Sequence, residues 1–277
     1  MKKDLTIITI TYNNFAELKK TVDSIAHLNI HFIIVDGGDC KYSKEYCEKN
    51  LASLIYIKER DRGISDAYNK GILNCQTQYL TFLNSGDILT NTKSLTDSIN
   101  YLNNHKDISF THSNMIMHDS LAGKISKSPK KCSLGRGMPY FFPTMVFRKK
   151  IFHESGMFSL DFKIAMDFEW LARAQGLHQV KGYFIDSDPS VCFDGNGVSS
   201  TQEWNGIKEC TRALYQNHLL FDEFLFLAKR VSLFAIRKGL AASPLKSLLI
   251  KYKRRHNVFL PSKLVKKDQF KIIDCPK

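Results

Sequence analysis

Polar and apolar positions change period every ten or so residues along the first third of the chain. Leu5–Ile10 alternates and then turns β-branched, which predicts a central strand. Phe15, Leu18, Val22 and Ile25 follow at helical spacing, with Lys19, Lys20 and Asp23 on the other side. Phe32–Val35, Leu54–Ile57 and Tyr79–Leu83 read as further strands. Ser43–Asn50, Ile64–Leu73 and the segment carrying Leu95, Ile99 and Leu102 read as helices. Strands that alternate with helices require crossover connections. The predicted fold is a doubly wound α/β domain with a mixed, mostly parallel sheet flanked by helices.

The pattern then changes. Ile108–Ser128 carries short β-like runs with a turn near Asp119–Gly123, so hairpins are expected there. Ile151–Phe158 and Ala165–Ala174 read as helices, Phe184–Phe193 contains a strand, and 195–200 is a loop by its glycines. The domain edge falls near residue 215, giving a 1–215 domain and a 216–277 helical tail. Within the tail, 221–240 puts Asp222, Glu223, Lys229, Arg230, Arg237 and Lys238 on one half of a helix. Phe224, Leu225, Ala228, Val231 and Phe234 occupy the other half. Ser243-Pro244 predicts a second helix start, with Leu245, Leu248, Leu249 and Tyr252 on one face and a basic end at 251–255.

A length of 277 residues and 43% hydrophobic content suit one main domain with an appendage. The net charge of +13 is uneven: residues 225–277 hold fourteen Lys/Arg against two acidic residues, leaving +1 for the first 224. A basic tail with leucine and aromatic faces predicts binding to an anionic membrane surface, with no nucleic acid expected; the plainer reading is that these helices pack on the catalytic domain or a second subunit with their charges solvated. Seven cysteines without a C-x-x-C pair favour reduced thiols in a cytosolic setting. Residues 1–5 lead directly into a strand, so no signal peptide is read, and no 18-residue uncharged apolar run occurs.

The candidate chemistry sits where the predicted strands end. Tyr79–Leu83 is a buried-type run that stops at Asn84-Ser85-Gly86-Asp87, two acceptor-bearing side chains around Ser-Gly. Open α/β sheets place ligands at the C-terminal edge of their strands. Asp36 ends the run Phe32-Ile-Ile-Val and precedes two glycines, where a carboxylate is able to accept from a ribose or uracil group. The plainer reading is an Asp-Gly turn. Asp66 and Lys70, four apart, read as a helix surface pair. His112, His118, His153 and His178 form no metal cluster by spacing, and neither a P-loop nor a G-x-G-x-x-G occurs. A nucleotidyltransferase would need a glycine-rich phosphate loop where Thr11-Tyr-Asn-Asn stands.

Thr6–Asn14, Val35-Asp-Gly-Gly-Asp39, Glu59-Arg-Asp-Arg-Gly-Ile-Ser-Asp-Ala-Tyr-Asn-Lys-Gly71 and Tyr79–Asp87 occur in an order that resembles the family 2 glycosyltransferases. The resemblance covers roughly residues 5–200. It implies a GT-A fold and an inverting, metal-assisted transfer from a nucleotide-sugar donor, UDP-linked, as a hexosyl- or N-acetylhexosaminyltransferase. It places the nucleoside on Asp36, the base against Thr11 and Tyr12, and Asp61, Gly63 and Asp66 around the donor. Asn84, Ser85 and Asp87 follow at the strand end, with Asp87 binding Mn²⁺ or Mg²⁺. The family's Asp-x-Asp is shortened here, because Ser85 stands where the first carboxylate would be.

Asp167 matches the family's carboxylate at a helix start and is the expected general base; the competing role is helix capping. Glu169 is expected to be a supporting group. Ser199 and Ser200 are candidates for diphosphate contacts. The acceptor implied is a glycan or lipid-linked glycan of bacterial surface polysaccharide or lipopolysaccharide, with the enzyme cytoplasmic and peripheral on the inner face of the membrane. The alternative is a non-catalytic membrane or nucleic-acid binding protein that uses the basic tail.

Overall fold

The computed structural model describes residues 4–119, 123–129, 133–194 and 202–241. A seven-stranded sheet contains β1 (Leu5–Thr11), β2 (His31–Asp36), β3 (Leu54–Lys58), β4 (Tyr79–Phe82), β6 (Phe110–His112), β9 (Val146–Arg148) and β10 (Gly182–Phe184). Its order is β10-β6-β9-β4-β1-β2-β3. Only β9 runs antiparallel to its neighbours, so β1, β2, β4, β6 and β10 all end at one edge. The expected mixed, mostly parallel sheet is present.

The alternation of side chains splits the core in two. Ile7, Phe32 and Ile34 face α1 (Phe15–Ile25) and α4 (Lys93–Asn104), where Leu18, Val22, Leu95, Ile99 and Leu102 are buried. Each such side chain contributes ~1.5–3 kcal/mol on leaving water. Ile8, Ile33 and Val35 face α3 (Ile64–Asn74) and an aromatic cluster of Tyr68, Phe82, Phe147, Phe152, Phe158 and Trp170. Gly71 lets α3 lie close on β1: a Cβ there would come within 2.4 Å of Ile8. The helix α2 (Tyr42–Asn50) packs against α1.

A second, four-stranded sheet joins β5 (Ile88–Leu89), β11 (Val191–Asp194), β7 (Met115–Asp119) and β8 (Gly123–Lys127) in that order. The hairpin expected across 108–128 is β7–β8, paired antiparallel. The helix expected over 151–158 is shorter. Helix α5 (Ile151–Glu154) stops at Ser155, and Gly156 takes φ +78°, a left-handed conformation that breaks the helical path. Helices α6 (Met166–His178), α7 (Glu203–Gln216) and α8 (Leu220–Ala241) complete the described chain.

Helix α8 leaves much of its apolar half outside, while Val231 and Phe234 of that half are partly covered and Asp222, Lys229 and Lys238 of the polar half stay exposed. Phe221 (91% exposed), Phe224, Leu225, Leu233 and Ile236 face outward, whereas Leu227 is buried. Glu223 reaches inward: its Oε2 accepts from Gly135 N at 2.8 Å and from the Ser133 hydroxyl. The 3-10 turn Leu134–Arg136 packs on this inner face, and a Cβ at Gly135 would come within 2.5 Å of the Glu223 carbonyl. The second tail helix and the 195–200 loop, with Ser199 and Ser200, lie outside the described residues. Among the described residues no helix is long and apolar enough to cross a membrane.

Candidate active site

The parallel register brings the ends of β1, β2 and β4 together, and with them Thr11, Asp36 and Asn84. Asp36 is fully buried at the end of β2. Its Oδ1 accepts from Gly38 N at 2.9 Å, and its Oδ2 from Tyr56 Oη at 2.6 Å and Lys58 Nζ at 2.8 Å. Both donors come from β3, where Lys58 stands directly beside Asp36 in the register. Burial first, and the bond to Asp36 second, push the Tyr56 phenol above its ordinary range. These two partners of a candidate site residue escape a reading of the sequence, because strand register is invisible before the strands are paired.

The turn after Asp36 is built on space. A Cβ on Gly37 would lie 2.0 Å from Asp61 Oδ2, and one on Gly38 would lie 2.6 Å from the Asn13 backbone nitrogen. Asn13 itself takes φ +51°, and its Oδ1 accepts from Asp39 N at 2.7 Å. The Thr11 hydroxyl donates to Asn14 Oδ1 at 2.5 Å, and Tyr12 stands 67% exposed at the rim.

Asp61, Gly63 and Asp66 form the entry to α3. Asp61 Oδ1 accepts from Gly63 N at 2.9 Å, and Asp66 Oδ2 from Arg62 N at 3.0 Å. Gly63 precedes the helix with φ +122°, a conformation that favours glycine. Burial works against the charge of Asp66, yet the Arg62 N–H and the Lys70 and Arg62 cations hold its carboxyl below the usual range. Lys70 is occupied by Glu59 at 2.9 Å and the Arg60 carbonyl at 2.8 Å, in keeping with a structural surface group.

At the end of β4 the chain folds into a turn pinned by Thr21 of α1. The Thr21 hydroxyl donates to the Asp87 carbonyl at 2.8 Å and accepts from Gly86 N at 2.9 Å. Asp87 is 3% exposed, and its Oδ2 accepts from Asn84 N at 3.2 Å. Ser85 Oγ is buried beside it without a hydrogen-bond partner. The Tyr68 hydroxyl of α3 donates to Asn84 Oδ1. Burial above all, then the charge of Asp87 and that of Asp167, hold this phenol protonated. Tyr68 therefore lies within electrostatic reach of both carboxylates.

Asp167 occupies the first turn of α6. Burial raises its carboxyl from 3.8 to about 6, against the Phe168 N–H that it accepts at 2.8 Å. Asp167 thus also accepts from a first-turn N–H of α6, while Glu209 of α7 holds the approach to the helix, accepting from Ile164 N at 2.9 Å and Ala165 N at 2.8 Å. Glu169 is buried and paired with Arg173 at 2.8 Å, a support for the helix as expected.

No group of three or more His, Cys, Asp or Glu among the described residues is placed to hold a metal alone. One buried carboxylate beside an unpartnered hydroxyl does fit a divalent cation that takes its remaining ligands from phosphates and water.

Glycosyltransferase GlyA of Streptococcus pneumoniae is 33% identical over 89 residues, covering 30% of this chain and 13% of its own length. The minor teichoic acid biosynthesis protein GgaB of Bacillus subtilis is 26% identical over 113 residues, covering 38% and 12%. The matches thus span a small part of these longer relatives. Among solved structures, S. aureus TarS 1–349 in complex with UDP-GlcNAc superposes with TM-score 0.60 at 14% identity, over 87% of this chain and 73% of that one. The mannosyltransferase PcManGT of Pyrobaculum calidifontis, in complex with GDP-Man and Mn²⁺, gives 0.56 at 12%, over 92% and 81%. These likenesses establish the GT-A fold. Residues 6–167, more than half of the sequence, match the profile of Glycosyl transferase family 2, and the chain belongs to that family.

Proposed function

We propose that the protein is an inverting glycosyltransferase that moves a sugar from a UDP-linked donor to a hydroxyl of a glycan or lipid-linked glycan in bacterial surface polysaccharide synthesis. The observation that carries this reading is that, in a family 2 chain, Asp36 and the Asn84–Asp87 turn close neighbouring strand ends while Tyr68 lies within electrostatic reach of both Asp87 and Asp167. The named complexes of similar fold contain UDP-GlcNAc and GDP-Man with Mn²⁺, and one relative is named for teichoic acid synthesis. They support a nucleotide-sugar donor and a surface-polymer acceptor.

In this reading Thr11 and Tyr12 line the base pocket, and Asp36 binds the nucleoside. Oδ1 of Asp36 accepts one bond, and a carboxylate oxygen offers about two directions. Tyr56 and Lys58 fix the carboxylate in place. Asp61, Gly63 and Asp66 border the donor, and Asn84 and Ser85 line the diphosphate end. Asp87 with Ser85 would hold Mn²⁺ or Mg²⁺, which when bound neutralises the charge that builds on the departing diphosphate.

Asp167 takes the proton from the acceptor hydroxyl as that oxygen attacks the anomeric carbon opposite the leaving group. A single displacement of this kind inverts the configuration. With its carboxyl near 6, Asp167 is ionised at neutral pH yet more basic than an ordinary aspartate. The outward apolar face of α8, next to a basic tail, supports peripheral attachment to the inner face of the cytoplasmic membrane. The test of the enzymatic reading is a hydrolysis and transfer screen of the purified full chain against a panel of UDP- and GDP-sugars, with Mn²⁺ and with chelator. Metal-dependent release of a nucleoside diphosphate from at least one donor is expected; no release from any donor would overturn it.

A further inference from the structure

The edge of the large sheet opposite the candidate donor site holds a separate cluster of charge. Strand β9 runs antiparallel to β4 and ends beside its start, with Arg148 paired to Tyr79. Residues 76–78 and 148–150 therefore meet where β4 begins, ~13 Å of strand away from the Asn84–Asp87 turn. Lys149 N donates to the Gln78 carbonyl at 2.8 Å and fixes the two segments together. Between them and Lys106, just past the end of α4, lies a cavity of about 470 Å³. Small-molecule sites span roughly 300–1,000 Å³.

Four of the lining side chains are cations, Lys106, Arg148, Lys149 and Lys150, and none is an acid. Asp107 follows Lys106 in the chain but does not line the cavity. Two of the cations have a structural duty. Arg148 is 3% exposed and donates through Nη2 to the Leu102 and His105 carbonyls at the end of α4. Lys149 Nζ donates to the Cys75 carbonyl at the end of α3 and keeps two further N–H groups. Neutral carbonyls hold both groups in place without cancelling their formal charge. Helix ends explain neither the Lys106 nor the Lys150 ammonium group. Lys150 meets Glu154 at 3.1 Å in an exposed pair that water screens, and among the described residues no ion pair reaches Lys106, Arg148 or Lys149. Like charges gathered around one hollow repel, and an anion bound among them relieves that cost.

We propose that this cavity binds a phosphate-bearing ligand, at a site separate from the donor edge, with Lys106, Lys149 and Lys150 on the phosphate oxygens. The volume leaves room beyond one phosphate. The Gln76 and Gln78 amides, each with donors and an acceptor, serve hydroxyls of the ligand body. A soluble phosphorylated compound and a lipid headgroup both offer this chemistry.

The full chain, saturated with UDP to keep the donor edge occupied, is titrated calorimetrically with inorganic phosphate, glycerol 3-phosphate, glucose 6-phosphate and glucose. Sedimentation with phosphatidylglycerol and with phosphatidylcholine vesicles is measured alongside. The cavity variant is Lys106→Gln with Lys150→Gln. The control variant, Lys44→Gln with Lys93→Gln, removes the same charge from exposed positions elsewhere. The expected result is binding of a phosphate ester more tightly than inorganic phosphate, and none of glucose. That binding should weaken ~10-fold or more in the cavity variant and less than about twofold in the control, as for lost charge-assisted bonds. Melting temperature and UDP affinity should match wild type in both variants. Ester binding of this kind assigns a soluble phosphorylated compound. Loss of phosphatidylglycerol binding in the cavity variant alone, with no ester bound, assigns a lipid headgroup. No ester bound together with equal vesicle binding by all three proteins, equal affinity of wild type and the cavity variant for every probe, or equal losses in the two variants would overturn the proposal.

Discussion

The phenol of Tyr68 donates to Asn84 Oδ1, and this bond ties helix α3 to the turn that carries Asp87. Tyr68 is 1% exposed and packs on Phe82 at 4.5 Å between ring centroids. The ring belongs to the core, whereas the hydroxyl belongs to the site. Tyr68→Phe should therefore retain the packing and lose the tether. Stability should fall by ~1 kcal/mol, the net worth of one hydrogen bond, while donor turnover falls by ~10-fold. Thermal melting together with steady-state turnover checks this; a large stability loss with unchanged turnover would make the hydroxyl purely structural.

Asp167 gives a signed dependence on pH. Its carboxyl is raised from 3.8 to about 6 by burial, so the native state holds the proton more tightly than the unfolded chain. Stability from this group is greatest below about 4, falls as pH rises to about 6, and is lower by ~3 kcal/mol above that. Asp167→Asn removes that penalty, so the variant should match or exceed wild-type stability at pH 7 and lose the advantage near pH 4. Its transfer rate should drop by ~10²-fold or more with donor affinity retained. For wild type, kcat/KM should climb tenfold per pH step below about 6 and level off above it. Melting curves and pH–rate profiles of the two proteins test both halves.

The two glycines after Asp36 should not tolerate alanine equally. A Cβ at Gly38 meets the Asn13 backbone, which cannot move without the end of β1, whereas one at Gly37 meets the carboxylate tip of Asp61. Gly38→Ala is expected to cost ~1–3 kcal/mol of stability and most UDP affinity. Gly37→Ala should be milder, because Asp61 is able to swing away and give up its bond to Gly63. Calorimetric UDP titrations of both variants decide the order.

What was legible in the sequence were the features set by local pattern. The buried runs ending in Asp36 and Asn84 predict strands that end in candidate donor-site residues, and parallel pairing brings those ends together. The contacts that finish the site depend on distant pairing and were not legible. Tyr56 and Lys58 reach Asp36 through the β2–β3 register, Thr21 holds a turn some 65 residues away, and Glu209 of α7 holds the approach to α6 from 45 residues away. In α8 the periodicity separates two faces without showing which one meets the protein, so the inward Glu223 and Arg230 became visible only once the 133–137 turn was in place.

The outward face of α8 carries its own prediction. Phe221→Glu with Leu225→Glu changes two side chains that are 91% and 77% exposed, so folding and donor turnover should be unaffected. Sedimentation with vesicles containing anionic lipid should fall for this variant, and wild-type binding should weaken at high salt. Equal sedimentation of the two proteins, or none by wild type, would remove the membrane assignment.

The central claim is that the edge formed by β1, β2 and β4 is the donor site. The most direct measurement is a crystal structure of the full chain grown with UDP and Mn²⁺. The account predicts the uracil between Tyr12 and Asp36, and the diphosphate with its cation at Ser85 and Asp87, on the side from which Asp167 faces the vacated sugar position. Nucleotide bound away from Asp36, or a cation held without Asp87, would contradict it.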